Sequence, residues 1–471
     1  MTSKPLGLAT ALCALLALAG PSQAETLADA MAKAYANHPG LAAQRAALRG
    51  LDEAEYQARA QAYGTVNLQA DYGWQNADTR RSLAGSRSRD DVDPFDLGLQ
   101  GSIPIYSGGQ IENSSDAALQ AVRSGRSTLT SAEQNVLLAA VTAFEDVRRD
   151  IALVEVARSN VRVIGEQLKA AQDRFEVGEV TRTDVAQAES RLAASRSTLA
   201  AIVGQLARSR QSYLAAVGES AQDLENPPPL PPLPESELAA QALAEAQHPD
   251  LVAARFDARQ AEAQVKVAIG RQLPQVSVNG AAGYSDDSVF IDDVASATDS
   301  NAVSVGVTAS MPLWTGGRNA SAVRQAQSTF ARSMALIQDT GRIVRQTVAN
   351  SWSGLDVARA SITAARQQIR AAQIAFDGVR EEATLGARTT LDVLDAEQEL
   401  ASARADLISA LRDEYVAGYN LLASVGALTV THLGLDVTPY DPDAYRTGVM
   451  NEDRYGYPKG EETRWATPYR P

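Results

Sequence analysis

Few side chains in this sequence are equipped for bond-making chemistry. Histidine, the usual general base near neutral pH, occurs only at His38, His248 and His432, and the first two each precede a proline. A His-Pro step suits the entry of a helix better than a metal site or a catalytic triad. The sequence holds no His-Glu-x-x-His, no Gly-x-Ser-x-Gly and no phosphate-cradling glycine loop. It therefore reads as a non-enzyme without a cofactor or a metal. What it does offer is placed charge. Asp392 and Asp395 stand three apart, on one face of a helix. Repeated around a narrow opening, such carboxylates favour cations and hold some protons more tightly than a lone aspartate does. Arg388 carries a planar fork that can engage two acceptors, and Thr183 and Asp184 offer a hydroxyl and a carboxylate.

These residues need elements to position them, and the composition bounds what those are. With 471 residues, 45% of them hydrophobic, the chain is ample for two or three packed units. Lys4, the apolar run from Leu6 to Ala19 and the Ser22-Gln23-Ala24 end read as a secretory signal peptide over residues 1–24. The only cysteine, Cys13, lies inside it behind Leu12, so neither a disulfide nor a lipid anchor is expected in the exported chain. A net charge of −14 speaks against a nucleic-acid partner. No other stretch is apolar for long enough to span a bilayer as a helix, which leaves any membrane crossing to strands.

The chain is written twice. Ile103-Pro104-Ile105-Tyr106-Ser107-Gly108-Gly109 returns as Met311-Pro312-Leu313-Trp314-Thr315-Gly316-Gly317, 208 residues later. The stretch from Val177-Gly178 to Asp184-Val185 returns at the same offset as Leu385-Gly386 to Asp392-Val393. The copies occupy residues 25–225 and 235–428, joined by a stiff proline-rich linker at 226–234 and followed by a tail, 429–471, expected to be loose. Each copy opens with a helical pattern and then alternates. Strands are expected at about 65–75 and 95–106, and at about 275–284 and 302–314. One face is apolar (Val66, Leu68, Tyr72; Val303, Val305, Val307), the other polar (Asn67, Gln69; Ser304, Thr308), and the connections between paired strands read as long polar loops. About ten tilted residues cross a bilayer, so lipid on one side and a wet lumen on the other account for the pattern. Tyr106 and Trp314 end their strands where an interface would lie.

Beyond Gly109 and Gly317 the helical period returns without a proline to Glu176 and Thr384, long enough for helices of about 65 residues, or about 100 Å. Sparse large apolar residues mark them as coiled hairpins, turning at Gly178 and Gly386, furthest from the membrane. The two turns differ in a complementary way: the first copy has Val180 where the second has Arg388, and Thr183-Asp184 where the second has Leu391-Asp392; the first also has Gln187 where the second has Asp395.

Four strands cannot close a barrel, because open edges in lipid leave backbone groups without partners. Two copies would supply eight strands and three copies twelve. The duplicated plan, Pro-x-x-x-Gly-Gly after each second strand, and the turn Leu385-Gly386-Ala387-Arg388-Thr389-Thr390-Leu391-Asp392-Val393 resemble the TolC family of efflux and secretion ducts up to about Leu428. The resemblance implies an α+β membrane protein: a homotrimer with a twelve-stranded β-barrel in outer-membrane lipid and a helical tunnel in the periplasm. It implies docking to a periplasmic adaptor at tips around Gly178, Glu179, Gly386 and Ala387, and service to an inner-membrane ABC exporter or RND-type pump. It also implies a latch in which Arg388, Thr183 and Asp184 hold the hairpins together, with Ala383 standing where TolC itself has a tyrosine. The competing reading is a soluble periplasmic coiled-coil adaptor or scaffold, which explains the helices but not the strands.

Overall fold

The computed structural model describes residues 24–80, 87–291 and 294–451. The expected signal peptide, apart from Ala24, and the tail beyond residue 451 lie outside them. Along the chain run α1 (Leu27–Asn37), α2 (Pro39–Ala60), β1 (Thr65–Tyr72), β2 (Gln75–Arg80), β3 (Arg87–Tyr106), α3 (Gln110–Glu176) and α4 (Arg182–Val217). The second copy repeats the plan as α5 (Glu237–Gln247), α6 (Pro249–Gly270), β4 (Gln275–Ile291), β5 (Val294–Ser310), α7 (Arg318–Thr384) and α8 (Thr390–Ser424). Two short helices follow, α9 (Val430–Leu433) and α10 (Pro442–Asn451). Both long helices, α3 and α7, have 67 residues, as continuous helical periodicity without proline permits. No described helix is apolar enough over a sufficient length to cross a membrane.

Contacts divide the chain into two units. One holds residues up to Gln44, 129–251 and 341–440; the other holds 45–128, 252–340 and the chain from Asp441. In the first unit, Phe144 of α3 and Tyr213 of α4 are fully buried with ring centroids 6.5 Å apart. The proline-rich linker is tied down here. Tyr415 of α8 donates to the Pro228 carbonyl at 3.1 Å, and Arg148 donates to Asn226 Oδ1 at 2.6 Å. Gly418 of α8 lets Leu230 of the linker approach, since a Cβ there would lie 2.8 Å from a Leu230 methyl. His38 and His248 each close one helix and open the next. The Nδ1 of His38 accepts from the Gly40 amide at 3.1 Å, and that of His248 from the Asp250 amide at 3.3 Å. They sit before Pro39 and Pro249, where the first helical residue has no amide hydrogen to satisfy.

The second unit carries an antiparallel sheet in the order β1-β3-β4-β5, with β2 continuing the line of β1 along β3. Its strands differ in length from the expected ones. Residues 75–94 and 285–301, read as loops, are largely paired backbone: Gln75 to Arg80 face Val92 to Arg87, and β4 pairs with β5 up to Ile291 and Val294. The ladder depends on backbone groups that every residue but proline has. It therefore continues after the apolar alternation has stopped. Pro94 marks the interruption between β1 and β2, with no amide hydrogen to offer the neighbouring strand. At the other end β5 stops at Ser310 rather than 314, just before Pro312.

The tail expected to be loose is ordered as far as α10. The Val430 amide donates to Glu133 at 2.8 Å and the Tyr440 amide to the Tyr35 hydroxyl at 2.9 Å, both in the first unit. Its proline- and charge-rich composition hides the fact that its charges have partners elsewhere in the chain.

Candidate functional site

Two parts of the molecule carry functional geometry, the sheet in one unit and the paired hairpin turns in the other. On the sheet, register places Leu68 opposite Leu99, Leu99 opposite Ala282 and Ala282 opposite Val303. One face is thus apolar across all four columns, and it is left open: Val303 is 82% exposed. On the other face Ser102 donates to Asn279 Oδ1 at 2.8 Å, and Asn279 donates to Thr308 Oγ1 at 3.0 Å. Side chains thus bond laterally across three strands. An apolar outer face and a hydrogen-bonded polar inner face suit a wall between lipid and water.

The two turns are built alike. At the first, Gly178 has φ +82°, its amide donates to the Phe175 carbonyl at 3.0 Å, and the Glu179 amide donates to the Arg174 carbonyl at 2.9 Å. At the second, Gly386 has φ +76°, its amide donates to Ala383 at 3.2 Å and that of Ala387 to Glu382 at 2.9 Å. This closure of a helix C-terminus needs the left-handed backbone that glycine adopts without strain. Three residues on, each chain re-enters a helix through a capping box. Thr181 donates from its amide and hydroxyl to Asp184 Oδ2, both at 2.8 Å, and Asp184 returns its amide to Thr181 Oγ1 at 3.4 Å. Thr389 and Asp392 do the same at 2.9, 2.9 and 3.2 Å. The Thr-x-x-Asp spacing that announces these boxes is visible in the sequence, and it identifies Thr181 and Thr389 as residues that the reading for latch chemistry passed over.

Within one chain, two of the expected site residues have local partners. Within the chain, Arg388 does not meet Thr183 or Asp184. Its Nε donates to Glu382 Oε2 at 2.8 Å, six residues back on α7, while Asp184 is held by Thr181. A short local loop brings Glu382 to Arg388 at little entropic cost, whereas a partner on the other hairpin is not so provided. Asp392 is likewise held locally. The amide and hydroxyl of Thr389, with Arg388 nearby, set its carboxyl below the usual aspartate range. Asp395 is bound differently. Arg191 of α4 donates to it at 2.6 Å, an exposed ion pair that joins the first hairpin to the second. Beneath, Val393 and Leu400 of α8 pack with Phe376 and Ala383 of α7, and Leu394 packs with Ile164, Ala188 and Leu192 of the first hairpin. Ala383 is thus buried in the core of its own hairpin.

Each capped turn exposes a large apolar side chain beside its charged ones. Val177 is 71% and Leu385 85% exposed, each next to a glycine whose Cβ direction is open. Among the described residues no group of histidine, cysteine and acidic side chains is arranged to hold a metal ion.

With this geometry in hand, the comparisons with known proteins are specific. The family model for outer membrane efflux proteins matches residues 30–219 and 241–427, one match per copy. The chain is 34% identical over 438 residues to the outer membrane efflux protein BepC of Brucella suis biovar 1, with 91% of each chain covered. It is 28% identical to the outer membrane protein TolC of Escherichia coli strain K12, covering 86% of this chain and 83% of that one. A solved structure of the outer membrane protein VceC from Vibrio cholerae superposes with a TM-score of 0.72 at 21% identity, over 85% of this chain and 96% of that one. Such a wall of strands and such capped hairpins, matched over both copies, make the chain a member of the outer membrane efflux protein family.

Proposed function

We propose that three copies of this outer-membrane efflux channel close their four-column walls into one twelve-stranded barrel, and that the paired turns receive a periplasmic adaptor fed by an inner-membrane transporter. Closure is supported by the open edges at β1 and β5. Each backbone group left unpaired in lipid costs several kcal/mol. A soluble periplasmic scaffold would not leave the apolar sheet face, Val303 included, uncovered by its own chain.

The observation that carries the docking role is the exposure of Val177 and Leu385 on two turns of one construction. Repetition presents an adaptor with two equivalent footholds per chain, at Gly178-Glu179 and at Gly386-Ala387. An ABC exporter passing a secreted protein and an RND-type pump clearing small toxic compounds are both served by such a docking surface. Asp392 and Asp395 lie just past the second turn, and threefold repetition makes them a ring that favours cations.

Replacing Glu179 or Ala387 with Trp adds bulk beside the glycines without straining their backbone. Detergent-solubilised variants should keep the mass of three chains while export is lost. Normal export from both variants would overturn the docking role, and a monomeric or dimeric parent protein would overturn the barrel.

A further inference from the structure

The ordered part of the tail ends in a contact that the duplicated family region, which stops at residue 427, does not include. In the second unit, α10 lies against α2 and α3 through charge. Arg446 grips Glu55 with two hydrogen bonds, from Nε at 2.7 Å and from Nη2 at 2.8 Å. Tyr445 donates to Glu53 at 2.8 Å, and Arg126 of α3 donates to Asp443 at 2.6 Å. Glu55 is completely buried and also takes a hydrogen bond from Arg59 at 2.6 Å.

Asp52, one turn before Glu55 on α2, is 1% exposed, and neither of its carboxylate oxygens has a hydrogen-bond partner among the described residues. The two arginines facing it, Arg126 and Arg446, direct their hydrogen bonds to Asp443 and Glu55. Asp443 and Glu55 add negative charge around it. A carboxylate removed from water without hydrogen bonds is costly, and a protonated carboxyl is far less so.

We propose that α10 is a proton-linked clamp: its docking over α2 and α3 takes up one proton at Asp52, so mildly acidic surroundings hold the C-terminal segment more tightly. Burial, opposed by Arg126 and Arg446, raises the Asp52 carboxyl from 3.8 to about 6. A carboxyl raised in the docked state makes docking strongest below its ordinary range, and the gain is lost as pH rises through about 6. The other two acids act in a lower window. Burial pushes Glu55 up, but the hydrogen bonds and charges of Arg446 and Arg59 outweigh it and leave the carboxyl below its ordinary value. Asp443 is lowered mainly by its hydrogen bond from Arg126. Both stay ionised between pH 5 and 7 and strengthen the clamp throughout. Burial raises Asp52 into that interval, and linkage makes docking about tenfold tighter at pH 5 than at pH 7. The consequence bears on the wall, because α2 leads through a single short turn into β1.

The test is amide hydrogen exchange of residues 442–451 in the full-length detergent-solubilised protein at pH 5 and pH 7, corrected for intrinsic rates. The parent should show protection about tenfold higher at pH 5. Asp52→Asn, neutral at every pH and close in shape, should be equally protected at both, at or above the parent's pH 5 level. Arg446→Ala should expose the segment at both. Equal protection of the parent at the two pH values, an unchanged pH dependence in Asp52→Asn, or undiminished protection in Arg446→Ala would each overturn the proposal.

Discussion

Asp184 separates two explanations of how the proposed entrance would be held shut. If it is one half of an ionic latch, its charge is what counts. In the structure its Oδ2 instead accepts two hydrogen bonds from Thr181, at 2.8 Å each, and its amide is returned to the same residue. What it contributes is then the start of α4 and the position of the first turn. Replacing a capping residue with Ala costs about 1 kcal/mol, which corresponds to an approximately fivefold rise in the frayed population of the first turn of α4 at room temperature. Asp184→Ala and Thr181→Ala should therefore act alike. Both should raise amide exchange over residues 182–186 about fivefold and increase the frequency of open events in single-channel recordings. Asp184→Asn removes the charge but keeps an oxygen that can accept from Thr181, so it should stay near the parent. The reasoning is refuted if Asp184→Asn opens the channel as much as Asp184→Ala while Thr181→Ala leaves it closed. That pattern belongs to a charge latch formed between copies.

Two further predictions concern the same unit. The ion pair of Arg191 with Asp395 is exposed on both sides, so Arg191→Ala should leave thermal stability nearly unchanged. It should nevertheless raise cation preference in bilayer recordings by freeing a carboxylate in each copy, while replacing Asp392 and Asp395 together with Ala should lower it. Unchanged selectivity in both would remove the acidic ring. Gly418→Ala would bring a methyl within 2.8 Å of a Leu230 methyl; an overpacking cost of about 1–3 kcal/mol is offset by about 1 kcal/mol of helix propensity gained within α8, which leaves a slightly lower melting temperature with helix content retained. An unaltered melting temperature would mean that the linker is free to shift.

Much of this architecture is legible in the residues because it rests on local periodicity. Alternation at Val66, Leu68 and Tyr72, and at Val303, Val305 and Val307, marks strands because successive side chains on a pleated backbone face opposite sides. Proline-free helical runs of about 65 residues mark α3 and α7, and the constant offset between Pro104 and Pro312 exposes the duplication. The placement of the turns at Gly178 and Gly386 follows from residue type, since only a backbone tolerant of positive φ closes a helix in this way. The capping boxes were also available, in the spacing of Thr181 to Asp184 and of Thr389 to Asp392.

Other features are invisible along the chain. The polar continuation of β3, β4 and β5 carries no apolar alternation to mark it; only the ladder, built from backbone groups, shows it. Which acid Arg388 chooses, and that Arg191 finds Asp395 across 204 residues, depends on which surfaces the folded hairpins bring within reach. Asp52 makes the same point most clearly. On α2 it reads as one more acid on a helix. Only the folded chain brings Arg446 and Asp443 of α10, nearly 400 residues later, beside this buried carboxyl.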